Sequence, residues 1–186
     1  MKRLKVLAVV VFSLVWTTGY GQTNIDQEVI SAVIKREIKL RSNDTIVLVV
    51  NTISPSNVDS YEGFKKHGLT YKLPTLDSLV YLDFIEKNKA SIQIDSIVGF
   101  QGKIIYLSNQ EVETLFKPDG WRSFNKKLGQ KSIIKISSPG MNKDRTLALI
   151  YFSTSRGFLS AVGFYLYLEK IDGKWIVISR MFGWIA

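Results

Sequence analysis

The sequence predicts an α+β domain in which helices pack on one face of a curved antiparallel sheet that ends in a C-terminal meander. Apolar residues recur at helical spacing in the segments that follow residues 24, 75 and 108. The last third of the chain instead consists of β-branched and aromatic runs separated by turn signals. One of these signals, Asp172-Gly173, is typical of a two-residue β-hairpin.

Residues 1–21 have the three parts of a secretory signal peptide. A basic start precedes an apolar run from Leu4 to Trp16, and Gly19 and Gly21 have the small-x-small spacing found before a signal peptidase cut. The basic residues of the start are Lys2, Arg3 and Lys5. We therefore predict cleavage before Gln22 and a periplasmic or secreted protein.

A mature chain of residues 22–186 has the size of a single α+β domain. A membrane anchor is the alternative for the leader, but a span needs about 20 apolar residues, and Thr17 and Thr18 dilute this run. We expect no membrane span after cleavage. The absence of cysteine excludes a lipid-modified N-terminal Cys, disulfides, thiol nucleophiles and thiolate metal sites.

The net charge of +9 includes three positive charges that leave with the leader. The remaining basic residues are scattered among acidic ones, which is typical of a solvated surface. Attraction to anionic envelope polymers or phospholipid headgroups is the alternative. No nucleic-acid-binding motif is present, so nucleic acid is not an expected partner.

The first predicted helix begins after Asn24, a suitable N-cap residue, and has one apolar face. That face consists of Ile25, Val29, Ile30, Val33, Ile34 and Ile38. The next run, from Thr45 to Thr52, is rich in β-branched residues and predicts a strand covered on both faces.

The polar segment from Ile53 to Leu73 predicts a long loop, which in a compact domain is either functional or mobile. Thr75 is the predicted cap of a helix that runs from Leu76 to about Asn88. Apolar residues that alternate within 90–100 predict an edge strand.

A further strand is predicted from Lys103 to Leu107. Ser108 and Glu111 then have the spacing of a capping box that opens a short helix. A second short helix is predicted to be capped by Asp119 and closed by Gly129. The meander follows as four strands, from Ser132 to Ser138, Arg145 to Ser153, Ala161 to Lys170 and Lys174 to Ile185.

The hairpin turn predicts which residues share a face of the sheet. An uninterrupted ladder from Asp172-Gly173 pairs Tyr165 with Arg180 and makes one face aliphatic. The other face groups Tyr165, Tyr167, Arg180, Phe182 and Trp184. Aromatic rings beside a base suit an anionic or aromatic ligand or a protein partner, so these five residues are the candidate ligand or partner face. The alternative is a sheet covered on both faces, with these rings in the core or at its rim.

Nucleophilic and metal chemistry have little basis in this sequence. His67, the only histidine, lies in the polar loop, and no serine has G-x-S-x-G surroundings. A zinc site would have to combine His67 with carboxylates, without a supporting spacing. Residues 99–102 lack the Lys-Ser/Thr ending of a phosphate-binding loop. We therefore predict no catalytic residue, no metal site and no cofactor.

Paired carboxylates for sugar hydrolysis are the one catalytic alternative. The candidates are Asp77, Asp83 and Glu86 on the second predicted helix. Lys87 and Lys89 lie close to them in sequence and are the expected ion partners, so a solvated helix face is favoured.

Several strings of the mature chain resemble a family of uncharacterised exported bacterial proteins. These strings are Gly120-Trp-Arg-Ser-Phe124, Thr146-Leu-Ala-Leu-Ile-Tyr151, Gly163-Phe-Tyr-Leu-Tyr-Leu-Glu-Lys170, Asp172-Gly-Lys-Trp175 and Trp184-Ile185. The resemblance implies a shared fold and no known activity. This chain departs from the family at residues 156–163, where a glycine-rich loop is usual. A helix followed by a curved antiparallel sheet also resembles cystatin-like and NTF2-like architectures.

We therefore expect a non-catalytic binding or interaction module of the cell envelope, with an unknown protein or a small ligand as its partner. Two alternatives stay open. A hydrolase with an unrecognised carboxylate site would have two acidic side chains in a pocket without a basic partner. An inhibitor or immunity-type protein would use the loop from Ile53 to Leu73 as its contact.

Overall fold

The computed structural model describes most of the chain after the predicted leader. The described residues are 19–38, 45–49, 62, 64–66, 76–89, 94, 97, 100, 102–129 and 131–186. Most of the predicted loop from Ile53 to Leu73 and most of the predicted edge strand within 90–100 lie outside these residues. In the described part, no helix is long and apolar enough to cross a membrane.

The helices and strands agree closely with the predicted elements. The helices are α1 (Gly19–Glu37), α2 (Ser78–Lys87), α3 (Asn109–Phe116) and α4 (Trp121–Leu128). The strands are β1 (Thr45–Val49), β2 (Lys103–Leu107), β3 (Ile133–Ile136), β4 (Gly140–Met141), β5 (Leu147–Ser155), β6 (Ala161–Ile171) and β7 (Lys174–Ile185). The α+β class and the C-terminal antiparallel strands are confirmed, and the two-residue strand β4 is an addition to the prediction.

The strands form one mixed sheet rather than a purely antiparallel one. Its order is β2-β1-β3-β5-β6-β7, with β4 paired beside β5. β1 runs parallel to both β2 and β3, whereas β3 to β7 pair antiparallel. β2 and β7 are therefore the two edges of the sheet within the described part of the chain.

Helices cover both faces of the sheet, which corrects the expected one-sided packing. α1 packs on the face formed by alternate residues such as Ile150 and Leu166. α2 packs on the opposite face, against Leu149 and Tyr167, and α3 and α4 cover Val47 on that same side. The physical reason is that β5 and β6 are apolar at consecutive positions, so both of their faces must be removed from water.

Local capping is predicted correctly at one of four helix starts. The capping box is confirmed: Ser108 N donates to Glu111 Oε2 at 2.7 Å, and Glu111 N donates to Ser108 Oγ at 3.2 Å. These hydrogen bonds lower the pKa of Glu111. α2 is instead capped by Asp77, whose carboxylate accepts from Leu79 N at 2.8 Å. Gly120, rather than Asp119, is the N-cap of α4.

α1 begins earlier than the sequence predicts. Its first residue is Gly19, so Asn24 lies inside the helix rather than at its N-cap. The predicted apolar face is confirmed, because Val29, Ile30 and Val33 are buried in the core. The predicted cleavage position before Gln22 falls in the first turn of this helix, and leader removal stays a prediction.

Candidate functional site

Two bulges in β7 change the predicted hairpin register. The turn itself is confirmed: Asp172 and Gly173 have φ values of 49° and 74°, as a type I′ turn requires. The predicted pairing then holds up to Leu168 opposite Val177. Beyond that pair, Tyr167 lies opposite Ser179, and Gly163 lies opposite Trp184.

Each bulge inserts one unpaired residue into β7 and moves the following side chains to the other face. The inserted residues are Ile178 and Gly183. After the first bulge, Arg180 and Phe182 lie on the α1 face, and after the second bulge Trp184 returns to the α2 face. The five predicted site residues are therefore divided between two faces, because the prediction assumed an uninterrupted ladder.

Tyr165 and Tyr167 belong to the core beneath α2 rather than to an open face. Both are buried, and Phe64 lies 5.1 Å from Tyr165 in an edge-on ring contact. Burial raises the pKa of Tyr165, and the neighbouring Tyr151 adds to the increase. The alternative interpretation of these two rings, as core residues, is therefore the correct one.

Arg180 and Phe182 form a small cluster on the other face. The Arg180 guanidinium lies 3.4 Å from the Phe164 ring centroid, and the Phe182 ring lies 5.2 Å from the same ring. Arg180 also pairs with Glu37 at 3.0 Å. Arg180 thus lies beside an aromatic ring, as predicted, but the ring is that of Phe164 rather than that of Tyr165.

Trp184 is held in place by two neighbours on β5 and β6. Its Nε1 donates to the Tyr151 hydroxyl at 2.6 Å. The indole also lies over Gly163, where an added Cβ would be 2.4 Å from Trp184 Nε1. Only a residue without a side chain fits at position 163, so this glycine allows the indole to pack on the sheet.

What the structure brings together is an edge strand with exposed apolar side chains. We call this strand the β7 edge and define it by Ile176, Ile178, Arg180, Phe182 and Trp184, whose side chains project from both faces of the sheet along its outer strand. The apolar members are 37–45% exposed. β7 carries two cations, Lys174 and Arg180, and no acidic residue. The β7 edge therefore combines apolar area with positive charge on an outer strand.

A second feature is a polar cleft between α1, α2 and the turn that joins β4 to β5. It has a volume of about 330 Å³. Lys87 lies between two carboxylates in this cleft, at 3.1 Å from Asp83 and 3.7 Å from Asp26. Lys87 also donates to the Pro139 carbonyl at 3.2 Å, and Asp83 accepts from Met141 N at 2.7 Å. We call this group the Lys87 cleft.

Asp26 is the only carboxylate among the described residues with a raised pKa. Its burial is the main cause, while Lys87 opposes the increase and Asp83 adds to it. A carboxyl with a raised pKa in a cleft is a general candidate for proton transfer. The hydrolase alternative, however, predicts two acidic side chains without a basic partner. Lys87 lies between the two carboxylates of this cleft, so the cleft does not match that prediction.

The sequence-predicted carboxylates all have structural partners. Asp77 caps α2, Asp83 pairs with Lys87, and Glu86 pairs with Lys89. The two lysine partners are predicted correctly from their closeness to these carboxylates in the sequence. Asp26 was missed because it reaches Lys87 from a different helix, and nothing in the local sequence indicates that contact.

Other candidates lie outside the described residues or have no support within them. His67 is one of the residues that the structure does not describe. Among the residues that are described, no group of three or more His, Asp or Glu side chains could hold a metal ion.

Comparisons with known proteins add no family assignment. No protein-family model matches this chain. Neither the curated proteins nor the solved structures gave a match. The resemblance to exported bacterial proteins, and that to cystatin-like and NTF2-like architectures, therefore stay predictions.

Proposed function

We propose that this chain is an exported, non-catalytic binding protein of the cell envelope whose protein partner docks on the β7 edge. One observation carries the proposal: large apolar side chains are exposed along the last strand of the sheet. Exposed apolar residues that occur together, rather than singly, are typical of interaction surfaces.

The position of β7 supports this assignment. No strand pairs with its outer side in the part of the chain that the structure describes. An exposed, largely apolar edge strand is a natural attachment site for another chain. The two bulges interrupt its pleat, so a partner cannot add one continuous strand along its full length. We therefore expect recognition chiefly through side chains.

Charge indicates what kind of partner fits. Lys174 and Arg180 are the only charged residues of β7, and Arg36 lies beside it and donates to the Val177 carbonyl. Glu37 pairs with both arginines, so the three cations exceed this one carboxylate by two charges. Two copies of this strand placed side by side would bring like charges together. A partner surface that carries acidic and apolar residues is complementary.

The partners of the candidate carboxylates support the non-catalytic part of the proposal. Asp77 caps α2, and Glu86 forms an ion pair with Lys89. In the Lys87 cleft, the lysine partly neutralises the two carboxylates beside it. The hydrolase alternative would have to use Asp26 in that cleft. The inhibitor alternative depends on the loop from Ile53 to Leu73, of which the structure describes little.

Site-specific photo-crosslinking in the organism that encodes the chain tests the proposal. A photoreactive amino acid at position 178 should give a discrete protein adduct. The same amino acid at position 82 is the control, because Leu82 is also an exposed apolar residue but lies on α2. Adducts of equal yield at both positions, or none at position 178, would contradict the β7 edge as the contact.

Two substitutions of opposite charge at position 178 test whether the partner surface is acidic. Ile178→Glu should weaken capture of the crosslinked partner by about tenfold or more, whereas Ile178→Lys should retain most of it, because the partner surface is expected to be acidic. Thermal unfolding of both variants shows whether the fold is retained. Equal losses in the two variants would overturn the acidic character of the partner.

A further inference from the structure

Three exposed apolar side chains lie at one end of the sheet, away from the Lys87 cleft. We call them the apolar tip: Phe158 and Leu159 in the loop between β5 and β6, and Ile185 at the end of β7. They are 78%, 89% and 78% exposed, more than any other large apolar side chain in the described part of the chain.

Backbone hydrogen bonds hold these residues at the same end of the sheet. Arg156 N donates to the Ser160 carbonyl at 2.8 Å and closes the loop. Ala161 and Ala186 then exchange two backbone hydrogen bonds, which places Ile185 opposite Val162 beside the loop. The loop and the end of β7 are thus fixed to each other at this end of the sheet.

Basic residues are frequent in the two segments that meet at the tip, 156–160 and 119–132. Ser132, next to Lys131, accepts from Arg156 Nε at 2.7 Å, and the Phe158 ring would lie 3.6 Å from a Cβ at Gly120, where α4 begins. The basic residues of these two segments are Arg122, Lys126, Lys127, Lys131 and Arg156. Asp119 is the only acidic residue within 119–132 and 156–160.

We propose that the apolar tip inserts into the surface of a lipid bilayer that contains anionic headgroups. An aromatic and an aliphatic side chain at the end of a loop can enter the boundary between headgroups and acyl chains, where their apolar area leaves water. Lys and Arg side chains of the two segments are attracted to anionic headgroups. The shape also favours a membrane, because Phe158 and Leu159 are largely exposed and all three side chains lie at one end of the sheet.

This proposal is independent of the β7 edge as a protein contact. The tip uses loop residues and the last residue pair of the hairpin, whereas the β7 edge lies along the strand. Ile178→Ser therefore tests whether the two surfaces act independently, because this variant of the β7 edge should bind vesicles as the wild-type chain does.

Vesicle co-sedimentation tests the tip directly. The protein is purified after processing by the cell that exports it, and its N-terminus is determined by mass spectrometry. It should bind vesicles of phosphatidylcholine with phosphatidylglycerol more tightly than vesicles of phosphatidylcholine alone, and added salt should weaken the binding. The double variant Phe158→Ser/Leu159→Ser should bind at least about tenfold more weakly, since each side chain loses its apolar burial.

Leu82→Ser is the matched control, since it removes an exposed leucine from α2, which packs on the opposite end of β5. It should bind as the wild-type chain does. The proposal is overturned by wild-type binding that is absent, by equal binding to both kinds of vesicle, or by a double variant that binds as tightly as the control. Circular dichroism of all variants establishes that they are folded.

Discussion

Two carboxylates share Lys87, and their surroundings give them different roles. Asp83 has a backbone donor, Met141 N, in addition to the lysine. Asp26 has the more distant lysine contact, and its burial raises its pKa. A charged Asp26 is therefore less favourable in the folded chain than in the unfolded one, whereas Asp83 holds α2 to β4.

We expect opposite results from removing these two carboxylates. Asp26→Asn should leave the free energy of unfolding at neutral pH unchanged or raise it, because it removes a partly buried charge. Asp83→Ala should lower it by about 1 kcal/mol, because Met141 N loses its acceptor. Denaturant unfolding of both variants at neutral pH measures the difference.

The pH dependence follows from the raised pKa of Asp26. The folded chain binds this proton more tightly than the unfolded chain, so the contribution to stability is present below the unfolded pKa and lost as pH rises through the folded one. Relative to Asp26→Asn, the wild-type chain should thus become less stable over that interval. A flat difference between the two chains across acidic pH would contradict the burial of Asp26.

Gly140 shows how one missing side chain allows a helix to pack on the sheet. A Cβ at this position would lie 2.3 Å from Phe84 N and 2.4 Å from Phe84 Cα, which are backbone atoms of α2. Backbone atoms of a helix cannot move aside as the end of a flexible side chain can.

Gly140→Ala should therefore destabilise the fold by about 1–3 kcal/mol, as overpacking generally does. Gly157→Ala is the control, because nothing lies within 4 Å of its added Cβ. The control should change the free energy of unfolding by no more than about 0.5 kcal/mol. Similar losses in the two variants, measured by denaturant unfolding, would show that α2 is not packed this closely.

At the scale of the element, β7 determines which predicted site residues meet. Its ends were predicted correctly from the hairpin turn and the length of the apolar run. The faces on which its side chains lie were not predicted correctly, because a bulge needs only one extra residue and the sequence around Ile178 does not indicate one. The second bulge is indicated by Gly183, since glycine inside a strand often marks a bulge.

Deletion of Ile178 should be tolerated better than the loss of a buried side chain from the same strand. Ile178 is the unpaired residue of the bulge, so without it Met181 would still lie opposite Tyr165, beneath α2. We expect the deletion to cost about 1 kcal/mol. Met181→Ala should cost about 3 kcal/mol, the loss typical of truncating a large core side chain, and urea unfolding distinguishes the two outcomes.

At the scale of the whole molecule, α1 connects the predicted leader to the core. The helix begins at Gly19, and the core contacts of its described side chains include Ile25, Val29 and Ile30. The predicted cleavage before Gln22 thus leaves all of these contacts in place. Export and processing are therefore compatible with the packing of α1.

N-terminal sequencing of the exported protein should find Gln22 as the first residue. A chain that begins at Gln22 should unfold at the same temperature as one that begins at Gly19, because both keep the core contacts of Ile25, Val29 and Ile30. A chain that begins at Ser31 should be strongly destabilised, since it lacks the buried Val29 and Ile30. An N-terminus that retains the apolar run would instead support the membrane anchor.

Much of the fold was predictable from local patterns. The capping box at Ser108, the turn at Asp172-Gly173 and the ion partners of Asp83 and Glu86 depend on residues close together in the chain, so spacing alone identifies them. The candidate site was predictable only in part: Arg180, Phe182 and Trp184 do lie on an exposed strand, but Tyr165 and Tyr167 are core residues.

Local patterns in the chain predict the α+β class and the ends of the hairpin strands, and the lack of cysteine excludes thiol chemistry. The helices on both faces, the contact of Asp26 with Lys87 and the bulges that divide the five predicted residues depend on three-dimensional packing. The two groups differ in the distance along the chain over which their interactions act. Caps and turns are set by hydrogen bonds over a few residues, whereas the face that a side chain occupies depends on strand register and on burial against distant elements.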